Sequence, residues 1–284
     1  MDFQVTVISD RMERRCLVHL PQGLDERNGF PLLMALHGRL GTGEIMSRQT
    51  RFNDVADREG WAVVYPDGIR RSWADGRGFT LADKKGIDDV KFLERLLDAL
   101  RTKWVPNVDK VFLAGYSNGG FMAQRMAVER SNMFDAVAVV SASIPTSVAG
   151  RFTPVRPLSM LFIHGTSDPV ISYEGREDDE SGDWLSVEYA VKMWVEHNGC
   201  RPPALIRKDS PKGGGTTTSI FSYASCRNET RVKLYRLESG GHVWPGSPVR
   251  TEIDSGLNDH DIDASQEIRQ FFQDTRGLRP KRNL

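Results

Sequence analysis

The sequence predicts an α/β fold in three layers, with a mostly parallel eight-stranded sheet and helices on both faces. Three observations carry this. Five apolar runs end in glycine or small polar residues, the pattern of strands buried on both faces: "PLLMALHG", "WAVVYPDG", "KVFLAGYS", "FDAVAVVSAS" and "PLSMLFIHG". Helical periods lie between these runs, and strands alternating with helices imply right-handed crossovers. The 284 residues, 39% of them hydrophobic, suffice for one large core or at most two domains.

In chain order, "FQVTVIS" and "RRCLVHLP" alternate at period two and read as an antiparallel pair ahead of the parallel strands. In "IDDVKFLERLLDALRTKW", Val90, Leu93, Leu97 and Leu100 recur at helical spacing. Asp88 and Asp89 stand at its start and basic residues near its end, as the helix dipole favours. "NGGFMAQRMAVER", "WLSVEYAVKMWVEHN" and "DASQEIRQFFQDT" also read as helices, the last docking through Ile268, Phe271 and Phe272. "RVKLYRLESGG" is the last strand. One domain over residues 1–284 is expected, with polar, Gly/Asp/Ser-rich surface insertions near 172–183 and 202–225.

Lysine plus arginine equals aspartate plus glutamate at 38 each, so no net basic field gathers nucleic acid. The basic "RGLRPKRNL" end reads as a solvated terminus. No stretch approaches the ~20 apolar residues of a membrane helix, so no membrane partner is expected. No charged n-region followed by an apolar h-region opens the chain. The expectation is therefore cytoplasmic, unless a signal was trimmed. Cys16 lies in a strand-like run and reads as a buried small hydrophobe. Cys200 and Cys226 bracket a Gly/Thr/Ser-rich stretch, and the residues leave both a disulfide and two free thiols open. No C-x-x-C or H-x-x-x-H pair supports a zinc site, and no cofactor is expected.

Chemistry concentrates at "LAGYSNGGFMAQ". Gly115, Tyr116, Ser117, Asn118 and Gly119 satisfy G-x-S-x-G between a strand and a helix. There the flanking positions crowd the backbone and the serine hydroxyl projects above the sheet edge. The alternative is a packing turn that merely needs small residues. A serine nucleophile needs a base. Of six histidines, His242 in "LESGGHVWPG" follows the last strand, between paired glycines and Pro245. His37 and His164, each before a glycine at a strand end, read as polar caps on loop backbone. His19, His197 and His260 lack such context. The orienting acid is Asp168 in "HGTSDPV", after the seventh strand, with Pro169 biasing its backbone to extended. Asp178, Asp179 and Asp183 are rivals in a polar insertion. Oxyanion donors are expected from the N–H of Asn118 and, in "LHGRLGTG", of Arg39. Trp73, Tyr116, Tyr173 and Trp244 neighbour these positions and are candidates for stacking on an aromatic acyl group or a sugar. The alternative is that they pack the loops.

The chain resembles the esterase family of poly(3-hydroxybutyrate) depolymerases and feruloyl esterases, within the α/β-hydrolase fold. The matching pieces run in order along nearly the whole chain: "RRCLVHLP", "PLLMALHG", "VVYPDG" followed by Trp73, "GIDDVKFLERLL", "GYSNGGFMAQRMA", "IHGTSDPVISY", "WVEHNGC" and "GGHVWPG". The resemblance implies Ser117 as nucleophile, Asp168 as acid and His242 as base. It also implies a bridge between Cys200 and Cys226, since many relatives are secreted. Relatives often carry a cysteine or another small residue where Arg39 stands. Secreted polymer-degrading relatives often add a substrate-binding domain, which is not read here. The expected activity is a serine carboxylic-ester hydrolase acting through an acyl-enzyme on soluble esters or oligomers. An acetyl-xylan esterase and a serine peptidase or thioesterase are the alternatives. A non-catalytic binding protein of the same fold is the reading from a different class.

Overall fold

The computed structural model describes residues 1–24, 29–177, 182–209, 217–258 and 262–276. Its strands are β1 (Asp2–Ser9), β2 (Met12–His19), β3 (Phe30–Leu36), β4 (Ala62–Pro66), β5 (Val108–Tyr116), β6 (Ala136–Val140), β7 (Ser159–Gly165), β8 (Ala204–Asp209), β9 (Thr217–Tyr223) and β10 (Val232–Glu238). They form one sheet in the order β1-β2-β4-β3-β5-β6-β7-β10-β9-β8. From β4 to β10 neighbours run parallel, while β1-β2-β4 at one edge and β10-β9-β8 at the other are antiparallel.

Eight strands were expected, and ten are present among the described residues. The region near 202–225, read as a polar surface insertion, instead extends the sheet through β8 and β9. Its Gly/Ser/Thr-rich composition hides the strand pattern. In β9, "TTSIFSY", the residues buried are Thr218, Ser219 and Ile220, so the usual apolar alternation is missing.

The helices are α1 (Gly43–Thr50), α2 (Phe52–Glu59), α3 (Leu81–Lys84), α4 (Asp89–Lys103), α5 (Asn118–Glu129), α6 (Thr146–Ala149), α7 (Val187–Asn198) and α8 (Ala264–Arg276). Alternation along each central strand splits the core in two. Leu32, Met34 and Leu36 face one side with Leu113, Val137 and Phe162, under α4, α5 and α7. Leu33, Ala35, Phe112, Ala138 and Leu161 face the other, under α1, α2 and α8. Both faces are covered, which is why these runs are apolar throughout. Helix α4 begins where the Asp88 side chain accepts the Lys91 N–H, and it buries Val90, Leu93, Leu97 and Leu100 as their spacing predicts. Helix α8 docks through Ile268, Phe271 and Phe272, with Phe272 stacked on Phe112 at 4.5 Å. Burying such a ring contributes about 1.5–3 kcal/mol. The eight-residue helices α1 and α2 were not read from the sequence. They are joined through Arg51 in the left-handed region, and each shows too few turns for its period to stand out.

Cys200, just past α7, is bonded to Cys226, just past β9, as the resemblance implied; Cys16 is buried and free. Among the described residues no helix is long and apolar enough to cross a membrane. The basic end beyond residue 276, and Asp178, Asp179 and His260, lie outside the described residues.

The bridge closes a loop over 26 positions, so chain entropy assigns it roughly 3–4 kcal/mol. Cys200→Ser with Cys226→Ser is expected to lower unfolding free energy by about that amount in a urea titration. An unchanged midpoint and slope would refute the assignment.

Candidate active site

The site is built on the turn between β5 and α5. Ser117 has φ 53 and ψ −120, a conformation rare for a residue with a side chain. It is held from both sides: its N–H donates to the Val140 carbonyl at 2.9 Å, and its own carbonyl accepts the Phe121 N–H at 3.0 Å. Glycine is required on both flanks. A Cβ on Gly115 would overlap the Gly119 carbonyl, and one on Gly119 would overlap the carbonyls of Leu36 and His37. The turn can therefore press against β3 only in this composition.

Three side chains from distant loops meet there. The Ser117 hydroxyl is 2.9 Å from His242 Nε2, and His242 Nδ1 is 2.7 Å from Asp168 Oδ2. An ionised carboxylate only accepts, so Nδ1 carries the ring proton and Nε2 presents its lone pair to the serine. All three are nearly enclosed, at 5%, 0% and 6% exposure for Ser117, His242 and Asp168. Asp168 Oδ1 accepts the N–H groups of Val170 and Ile171 at 2.8 and 2.7 Å, which fixes the carboxylate. Burial alone would raise the Asp168 carboxyl, but hydrogen bonds from His164 and His242 outweigh it and hold it well below the usual range.

The peptide of His242 is clamped as well. Its N–H donates to the Ser255 carbonyl at 2.6 Å, and its carbonyl accepts the Ser255 N–H at 2.9 Å. The Tyr116 ring stacks on the imidazole at 5.3 Å, while its hydroxyl donates to Asp254 at 2.6 Å. Burial, with Asp254 beside it, keeps the Tyr116 phenol protonated far above its ordinary range.

Asn118 opens α5, directly after Ser117, so its N–H is one of those left without an intrahelical carbonyl. In the turn after β3, the N–H groups of Leu40 and Gly41 donate to Arg71 and Gly38. Among the described residues, the Arg39 N–H takes no part in closing that turn. The turn rests on His37, whose Nδ1 donates to the Gly38 carbonyl at 2.7 Å and whose Nε2 accepts the Gly68 N–H at 2.9 Å. His37 thus caps loop backbone, as read from the sequence.

The four aromatic candidates show no open stacking face. Trp73, Tyr116, Tyr173 and Trp244 are all buried. Trp73 donates from Nε1 to the His37 carbonyl, and its peptide N–H donates to the Asn118 side-chain oxygen at 2.8 Å. Tyr173 reaches Glu188, and Trp244 donates to Ser265 while lying edge-on to Phe52. Of the two expectations, their burial favours packing: loops this crowded need large rings to fill them.

Sequence reasoning missed several residues. His164 places Nε2 2.8 Å from the Ile171 carbonyl and 3.3 Å from Asp168 Oδ2, so it braces the acid as well as the loop. Its position four residues before Asp168 was the available signal. The Asn118 amide also donates to Asp75 at 2.6 Å, and Asp75 receives two hydrogen bonds from the Arg77 guanidinium at 3.0 and 2.8 Å. The loop of Asp254 and Ser255 had no sequence signal beyond its polarity. Among the acid rivals, Asp183 offers its carbonyl to the Thr146 N–H. Among the described residues no group of His, Cys, Asp and Glu is placed to hold a metal ion.

With this geometry in view, the comparisons are specific. The family model described as Esterase PHB depolymerase matches residues 16–178, which include Ser117 and Asp168 and stop short of His242. The chain is 27% identical over 243 residues to feruloyl esterase C of Emericella nidulans, covering 83% of this chain and 78% of that protein. It is 25% identical over 236 residues to the bifunctional acetylxylan esterase/xylanase XynS20E of Neocallimastix patriciarum, covering 83% of this chain but 31% of that protein. The acetyl xylan esterase structure from Aspergillus awamori superposes with a TM-score of 0.59 at 15% identity, covering 95% of this chain and 99% of that one; this likeness shows the fold alone.

Burial pushes the His37 imidazole from 6.5 down to about 4. The unfolded chain takes up this proton below pH 6.5 while the folded chain does not until about 4, so stability falls as pH is lowered through that window. The loss is about 3 kcal/mol. Denaturant midpoints measured across the window are expected to slope less in His37→Gln than in the wild type, and equal slopes would count against it.

Proposed function

We propose, for a chain that belongs to the Esterase PHB depolymerase family and is a carboxylic ester hydrolase of the α/β-hydrolase fold, that Ser117 is its nucleophile, His242 its base and Asp168 the acid that orients the base. The single observation carrying this reading is the unbroken series of two hydrogen bonds, Ser117 to His242 and His242 to Asp168.

The Ser117 oxygen attacks the ester carbonyl as His242 Nε2 accepts its proton. Asp168 stabilises the imidazolium that results. The oxyanion forms beside the N–H groups of Asn118 and Arg39, each worth roughly 3–4 kcal/mol of barrier lowering. Collapse breaks the bond to the alcohol, which leaves with the proton from His242, and an acyl-Ser117 remains. Water then gives up a proton to His242 and attacks the acyl carbon, releasing the carboxylic acid and free Ser117.

The substrate we propose is a soluble ester or short ester oligomer. Relatives named for feruloyl and acetylxylan esters support an acyl ester of a carbohydrate as one member of that class. A non-catalytic binding role is the weaker reading. Such a protein has no use for a backbone strained to lift one hydroxyl against an imidazole.

Ser117→Ala is expected to lower kcat on p-nitrophenyl acetate by on the order of 10⁴–10⁶ with the fold intact by circular dichroism. The wild type should also take up one equivalent of a fluorophosphonate, and the variant none. Near-normal turnover by the variant would sink the assignment.

A further inference from the structure

The loop after β3 carries a feature that hydrolysis of a neutral ester does not use. Arg39 is exposed, and it leaves the backbone immediately beside the nucleophile: a Cβ built on Gly38, its neighbour, would lie 3.3 Å from Ser117 Cβ. Its guanidinium stands over the Phe79 ring, 5.3 Å from the centroid. Exposed Lys84 approaches the same ring at 5.9 Å. Phe79 itself is tied to the site. It precedes Thr80, whose hydroxyl donates to the Trp73 carbonyl at 2.8 Å, and that carbonyl also accepts the Asn118 side-chain amide.

Two neighbouring cations are already neutralised. Arg77, 5.6 Å from Phe79, pairs with buried Asp75, and Arg71 pairs with Glu252. Among the described residues no carboxylate pairs with Arg39 or Lys84. The chain as a whole carries equal numbers of acidic and basic side chains, so this surplus is local. An arginine held over an aromatic face keeps its planar donors pre-oriented, and such a fork suits a carboxylate.

From this placement we infer that Arg39, with Phe79 and Lys84, forms a subsite for a carboxylate carried by the ester substrate. The inference rests on the serine-esterase reading above. It narrows the substrate class to esters with an acidic group on the acyl or the alcohol side, the rest of that group lying against Phe79. The neutral carbonyl still meets the N–H groups of Asn118 and Arg39, so the side chain selects while the backbone assists the chemistry.

The test compares chain-matched pairs on wild type, Arg39→Gln and Lys84→Gln. One pair is mono-p-nitrophenyl adipate against p-nitrophenyl hexanoate. The other is the acetyl ester of 4-hydroxybenzoate against that of 4-hydroxybenzamide. The quantity read is the anionic-to-neutral ratio of kcat/KM, which is internal to each variant and independent of any change in its overall rate. In at least one pair the ratio is expected to fall about threefold to fivefold in Arg39→Gln, as for an exposed ion pair, and to fall with added salt in the wild type. Hydrolysis of every ester with ratios that neither substitution nor salt alters overturns the subsite and leaves the esterase reading standing. No hydrolysis of any of the four esters by the wild type overturns that reading, and the subsite with it.

Discussion

Ser117 occupies a backbone conformation that costs on the order of 1–3 kcal/mol, and the architecture around it exists to hold that conformation. β5 delivers the chain at the centre of the parallel sheet, and α5 leaves at once in the opposite direction. The reversal leaves no room for side chains at Gly115 or Gly119. Bonds to Val140 and Phe121 make the turn part of both the sheet and the helix. Relaxing the serine would mean separating α5 from β5, so the strain is locked in by the core on both sides. The hydroxyl is thereby presented at the carboxyl edge of the sheet, where the loops after β3, β7 and β10 also end.

The segments around the site, including the one between β4 and α4, are fixed by buried polar groups rather than by apolar packing alone. Asp75, Asp89 and Asp168 are carboxylates inside the protein, and each accepts backbone N–H groups as well as a side-chain partner. For Asp89, burial pushes the carboxyl up, while Arg14 at 2.7 Å and the Ala74 N–H oppose that. The Arg14 guanidinium stands over the Phe92 ring, 3.7 Å from the centroid, and both ions of this pair are buried. An enclosed pair of this kind adds little net stability but penalises any arrangement that separates it. The wall formed by residues 72–83 is thus held to one shape, and the Asn118 amide joins that wall to the nucleophile's own helix.

Much of this was legible in the sequence because the physics was local. The apolar runs of β3 to β7 show burial on both faces, and G-x-S-x-G between a strand and a helix shows the turn. Asp168 and His242 stand out by following the seventh strand and the last one. What was not legible depended on partners far away in the chain. Thr217–Tyr223 reads as a polar loop until β10 supplies a strand for it to pair with. Trp73 and Trp244 have the same composition signal whether they face a ligand or pack on neighbouring rings; in the fold Trp73 stacks on Phe92 and Trp244 lies edge-on to Phe52. Asp75 gives no sign that Arg77 and Asn118 will converge on it, and Ser255 no sign that it will bond twice to the base's peptide.

The pair of hydrogen bonds between the His242 and Ser255 peptides bears on the proposed turnover cycle. Its main chain is fastened as a rung, its ring is faced by Tyr116, and the imidazole lies between Ser117 and Asp168. In the mechanism proposed above, the same nitrogen hands its proton to the departing alcohol and later collects one from water. The entering and leaving oxygens therefore have to visit it in turn at one location. In that mechanism the itinerary belongs to the small molecules, which come in turn to an imidazole held between the oxygens of Ser117 and Asp168.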